Sequence, residues 1–84
     1  MTTTADRVAA VINELFGLPA AALRSDATLQ DGLQLDSLSV VELQVALEDA
    51  FDIRFDTDDT ADVETYGDLV AAVDGAIGRK RQAS

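Results

Sequence analysis

Leu35-Asp36-Ser37-Leu38-Ser39-Val40-Val41-Glu42-Leu43-Gln44-Val45-Ala46-Leu47-Glu48 is the stretch around which the rest of the chain is arranged. At about 100° per residue, a helix over it gathers Val40, Leu43, Leu47 and Phe51 on one side, with Ala46 and Ala50 at the edge. That side reads as core. Leu38, Val41 and Val45 fall nearly opposite, framed by Glu42, Glu48, Asp49 and Asp52. A helix in a single domain has no internal use for a second apolar stripe, and apolar residues ringed by acids suit the docking of a basic partner. The plainer alternative is that scattered Val and Leu on a surface are common.

Ser37 stands just before the periodic run, where serine is a favoured N-cap and its oxygen accepts a bond from a free backbone N–H. The functional alternative is that the hydroxyl carries a phosphate ester. Such an anion would lie at the positive end of the helix dipole, near N–H groups without intrahelical partners. Asp36 would repel it, and suits the attraction of cations from an enzyme or metal ion instead.

Asp36-Ser37-Leu38, then Val41-Glu42-Leu43 and Ala46-Leu47-Glu48 with Phe51-Asp52 behind them, resemble the acyl carrier proteins. The resemblance extends to Asp26-Ala27-Thr28-Leu29 in the preceding loop and to an acidic segment before a last helix, and covers residues 5–77. It implies an all-α fold, a four-helix bundle of acyl-carrier-protein type with a long loop between helices 1 and 2 and a short third helix. It also implies that Ser37, matching the serine of the family's Asp-Ser-Leu motif, is esterified with 4′-phosphopantetheine from coenzyme A. The terminal thiol of that arm would hold an acyl or aminoacyl group as a thioester. Two departures stand out: Gln34 occupies a place where the family usually has glycine, and Ser39 one where fatty-acid carriers often have aspartate.

Composition agrees with a small carrier. The 84 residues suit one domain, 1–84, and 48% of them are apolar, with three Phe and one Tyr. Cysteine is absent, which removes disulfides, thiolate nucleophiles and structural zinc, so thioester work needs a borrowed thiol. Of the net charge of −10, residues 26–68 hold thirteen acids and one base, Arg54, whereas the remainder has three acids and five bases. The half containing Ser37 should therefore repel nucleic acid and anionic membranes and draw in basic proteins. No signal peptide and no membrane-length apolar run are visible and disulfides are absent, so the cytoplasm is the expected location; a monomer is expected as well.

Along the chain, Thr4 is read as the N-cap of a first helix whose stripe is Val8, Val11, Ile12, Leu15 and Phe16, and Gly17 and Pro19 end it. Residues 17–36 form a long irregular segment with a short turn at 19–23, pinned by Leu18, Leu23, Leu29 and Leu33. The second helix runs from Ser37 to Ala50 or Phe51, and Ile53 to Phe55 is an extended step too short for a sheet. The acids at 56–62 lack the glycine and glutamate of a calcium-binding EF-hand. Weak divalent binding and a short third helix capped by Asp56 or Thr57 are expected there. Thr65 and Asp68 have capping-box spacing for a last helix with Tyr66, Leu69, Val70, Val73 and Ile77 on its apolar face. Gly78 is expected to end it, so that order spans residues 4–78 and 79–84 form a frayed basic tail.

Two functions of different class follow. The first is a discrete carrier, in polyketide or related specialised biosynthesis. Its docking face is Asp36, Leu38, Val41, Glu42, Val45, Glu48 and Asp49, and its partners are a phosphopantetheinyl transferase and enzymes such as a ketosynthase or acyltransferase. The lean towards specialised metabolism rests on Gln34, Ser39 and the excess of arginine over lysine. The second is an unmodified acidic helical module that binds a basic partner and uses Ser37 only as a cap. The sequence argues against a free-standing enzyme, because no histidine or lysine lies near Ser37 to act as base and there is no Gly-x-Ser-x-Gly elbow.

Overall fold

The computed structural model describes residues 3–56 and 63–83. Three helices are seen among them: α1 at Thr4–Phe16, α2 at Ser37–Phe51 and α3 at Tyr66–Ala83, with a 3-10 turn at Ala20–Ala22 after α1. The fold is all-α. The short third helix expected near Asp56 or Thr57, and the weak divalent site expected in the same acidic run, fall largely on residues 57–62, outside the described residues.

Thr3, not Thr4, caps α1. Its hydroxyl accepts from the Asp6 N–H at 3.1 Å, and its own N–H donates to the Asp6 carboxylate at 3.3 Å. A capping box needs an acceptor three residues on, which Thr3 finds in Asp6 whereas Thr4 would meet Arg7. Gly17 ends the helix with φ of 71°, a left-handed conformation that suits glycine, and its N–H donates to Asn13 O. Val8 and Ile12 are fully buried, but Leu15 is 46% exposed. The turn at Gly17 diverts the chain there, and Leu18 packs on the core beyond it.

The core joins Val8 and Ile12 to Leu43, Leu47 and Phe51 of α2 and to Tyr66, Leu69, Val73 and Ala76 of α3. Val40 is only half-buried at its rim. The Tyr66 hydroxyl donates to Ala5 O at 2.6 Å, linking the start of α3 to α1. Burial first, and nearby Asp6 second, hold that hydroxyl protonated to higher pH than usual.

Segment 17–36 is tied down by backbone bonds to the entry of α3. Leu29 N–H donates to Glu64 O, Tyr66 N–H to Ala27 O and Gly67 N–H to Ser25 O, all at 2.9–3.0 Å, around an isolated antiparallel bridge between Thr28 and Thr65. Leu29, Leu33 and Leu35 are buried beneath this seam. The expected Thr65/Asp68 box opens α3: Asp68 N–H donates to Thr65 Oγ1 at 3.1 Å, and Thr65 N–H to the Asp68 carboxylate at 3.2 Å.

Gly67 has no room for a side chain, because a Cβ there would lie 2.8 Å from Ser25 O. Gly67→Ala is therefore expected to push segment 17–36 off α3 and cost about 1–3 kcal/mol, the range for overpacking. Urea unfolding checks it, and a variant as stable as wild type would contradict the close approach.

At the other end, α3 passes through Gly78 to Ala83 instead of stopping. A glycine without a turn after it only weakens a helix. Beyond it, Lys80 is held by Asp52, Nζ to Oδ2 at 2.8 Å, which ties the last turns of α3 to the end of α2. That contact also lowers the pKa of Asp52, by hydrogen bond first and then by charge.

Candidate functional site

The start of α2 is built by Asp36. With extended backbone (φ −79°, ψ 178°), its carboxylate accepts from the Ser39 N–H at 2.7 Å. Asp36, not Ser37, is therefore the N-cap, and Ser37 is the first residue of the helix. Both types cap well; the position at which the backbone leaves the helix decides between neighbours. The Ser39 N–H first, and its hydroxyl second, hold the Asp36 pKa below the ordinary carboxylate value. Its capping contribution is thus present above the ordinary carboxylate range and lost only as pH falls through the depressed value. An aspartate at position 39 would face this carboxylate with like charge, whereas Ser39 donates to it.

With the cap supplied by its neighbour, the Ser37 oxygen takes no part in the capping bond and lies exposed. It stands at the rim of a shallow depression lined by Gln30, Gln34, Leu35, Asp36 and Ser37. A hydroxyl so placed has room to carry a long arm into solvent. The donors expected to greet an anion here are partly used: Asp36 already engages the first turn.

Leu38, Val41 and Val45 are 67%, 53% and 59% exposed, a continuous apolar stripe leading away from Ser37 along α2. Glu42 and Asp49 are exposed beside it. Glu48 differs from the sequence expectation in having a structural task. Its carboxylate accepts from the Phe55 N–H at 3.0 Å, and its carbonyl from the Ile53 N–H, so it organises the exit from α2. Asp52 caps that exit in left-handed backbone, φ 54°.

Gln34 is the other described non-glycine residue with positive φ, at 58°. The left-handed region is unfavourable for a residue with a Cβ by about 1–2 kcal/mol, and glycine escapes most of that at some cost in unfolded-state entropy. The conformation gives a physical reason for glycine at this position, and Gln34 occupies it against that preference. Gln34→Gly is expected to stabilise the fold by about 0.5–1 kcal/mol, raising Tm by about 3–6 °C. A fall in Tm on thermal unfolding by circular dichroism would contradict it.

Sequence reasoning missed Leu35, which is buried like Leu29 and Leu33 although it lies in irregular chain. Its N–H donates to Leu29 O, which sets the height at which Asp36 and Ser37 emerge. The signal was an apolar residue immediately before two polar ones at a helix start, close to the hydrophobic-staple pattern.

Residues 6–73 match the family described as a phosphopantetheine attachment site. Among similar proteins, an acyl carrier protein of Acidothermus cellulolyticus is 38% identical over 63 residues, 75% of each chain. One of Thermobifida fusca is 37% identical over 65 residues, 77% of this chain and 82% of the relative. "Acyl carrier protein 3" of Ralstonia nicotianae is 32% identical over 78 residues, 93% of this chain and 90% of the relative. These matches define the class first, a domain that bears 4′-phosphopantetheine. The chain belongs to the acyl carrier protein family, whose members are carriers and not enzymes.

Proposed function

We propose that Ser37 is the residue that receives the 4′-phosphopantetheine, and that the chain carries acyl or aminoacyl groups as thioesters in polyketide or related specialised biosynthesis. The observation behind this reading is the exposed Ser37 hydroxyl, relieved of capping by Asp36 and placed within the matched region. In the loading step the Ser37 oxygen gives up its proton and takes the phosphopantetheinyl group from coenzyme A, releasing the adenosine bisphosphate half. The chain has no histidine, and the one carboxylate lining the depression, that of Asp36, is already hydrogen-bonded to the Ser39 N–H. The proton acceptor therefore comes from the transferase. The arm supplies the thiol that this cysteine-free chain lacks.

Partner enzymes, among them the transferase and a ketosynthase or acyltransferase, dock on Asp36, Leu38, Val41, Glu42 and Val45, with Glu48 and Asp49 at the far end. The exposed apolar stripe supplies contact area and the carboxylates supply attraction for basic surfaces. Such contacts are small and salt-sensitive, as a shuttle between enzymes requires. Ser39 and Gln34, in place of the aspartate and glycine common elsewhere in the family, support a specialised pathway over housekeeping fatty-acid synthesis. On the same family resemblance we take the complete bundle to have four helices, and the carrier to be a cytoplasmic monomer.

Incubation with coenzyme A and a phosphopantetheinyl transferase tests the reading. The intact mass should rise by one phosphopantetheine, and a thiol assay should change from none to one per chain. No gain in mass and no thiol would leave an unmodified acidic module instead. For the pathway, elongation by fatty-acid synthesis enzymes at the rate of that system's own carrier would overturn the specialised assignment.

A further inference from the structure

We propose that Gln34, assisted by Gln30, donates carboxamide hydrogen bonds to the phosphodiester of the arm on Ser37, and so orients the arm where it leaves the protein. The inference rests on the assignment of Ser37 above.

A phosphodiester at the Ser37 oxygen would meet few groups able to hold it. Asp36 presents a full negative charge beside it, kept ionised by its bonds to Ser39. The N–H groups that normally favour an anion at a helix start are turned to that same carboxylate, Ser39 N–H most directly at 2.7 Å. No lysine or arginine is among the residues lining the depression. The side chains there that can donate a hydrogen bond are Ser37 itself, Gln30 and Gln34. A carboxamide suits this position, since it donates to a non-bridging phosphate oxygen without being drawn into an ion pair with Asp36.

The backbone at Gln34 is the independent observation. A positive φ of 58° is expensive for glutamine, and glycine would relieve it. A strained non-glycine residue bordering a functional hydroxyl is a reason to look for a role in its side chain. Gln34 lines the Ser37 depression, and a carboxamide there can supply one.

The test uses the holo-protein. The ³¹P resonance of the phosphodiester is compared among wild type, Gln34→Gly, Gln30→Ala and, as a control on α2, Gln44→Ala. Gln34→Gly favours the left-handed backbone, so it retains the fold. The expected result is a moved ³¹P resonance in Gln34→Gly, a smaller movement in Gln30→Ala and none in Gln44→Ala. In the wild type, exchange of the Gln34 side-chain NH₂ with water should also slow on conversion from apo to holo. A Gln34→Gly spectrum superimposable on wild type would overturn the proposal, whatever Gln30→Ala does. A chain that takes up no arm is a distinct result: it overturns the Ser37 assignment and the proposal with it.

Discussion

Ser37→Ala is expected to gain no mass from coenzyme A and transferase while unfolding within about 0.5 kcal/mol of wild type. The two halves of that result follow from one geometric fact. Ser37 is exposed and is the first helical residue, where alanine is well tolerated, and the capping bond belongs to Asp36. Asp36→Ala keeps the hydroxyl but should lose about 1 kcal/mol with the cap, and should load more slowly because Asp36 also belongs to the proposed docking face. Intact-protein mass and urea unfolding of the two variants separate chemistry from support. An equal mass gain on Ser37→Ala would move the attachment point elsewhere, and a large loss of stability in that variant would mean that the serine caps after all.

The largest effect on stability is expected at Leu47. Its side chain is fully buried between the three helices, in one cluster with Ile12, Leu43 and Val73. Truncation to alanine removes transfer free energy and leaves a cavity that rigid helices close only partly, together about 2–5 kcal/mol. In a domain whose total stability is of the order of 5–15 kcal/mol, that is a large share, and Tm should fall by more than about 10 °C. Leu38→Ala serves as the contrast. The same deletion on a side chain that is 67% exposed should change stability by no more than about 0.5 kcal/mol. Comparable losses in both variants would mean that the two faces of α2 are not distinct.

What was legible in the sequence was whatever depends on near neighbours. The buried row Leu43, Leu47 and Phe51 follows from helical periodicity. The left-handed turn at Gly17 and the Thr65/Asp68 box follow from residue types at fixed short spacing. Errors arose where two local solutions competed within one residue, as with Thr3 against Thr4 and Asp36 against Ser37. Thr3 wins because Asp6 stands three residues on, whereas Thr4 would meet Arg7; between Asp36 and Ser37 either type can cap, and the position at which the backbone leaves the helix decides. Features that depend on distant partners were not legible. Gly67 is required by Ser25, forty-two positions earlier in the chain, and helix α3 continues past Gly78 to a lysine paired with Asp52 of another element. For the proposed site, the motif singles out Ser37, and the structure adds that the capping bond belongs to Asp36.

The seam between segment 17–36 and α3 has a mechanical consequence. Glu64 O is bonded by Leu29 N–H, Leu29 O is bonded by Leu35 N–H, and two residues later comes Ser37. Ser37, the proposed attachment point, is thus joined to the entry of the last helix by two successive backbone links, although nearly thirty residues of chain separate them. Glu64 stands just ahead of α3, so the segment that enters that helix and the segment that leads to Ser37 share one run of backbone hydrogen bonds. The far half of the chain thereby helps to fix the backbone just ahead of Ser37.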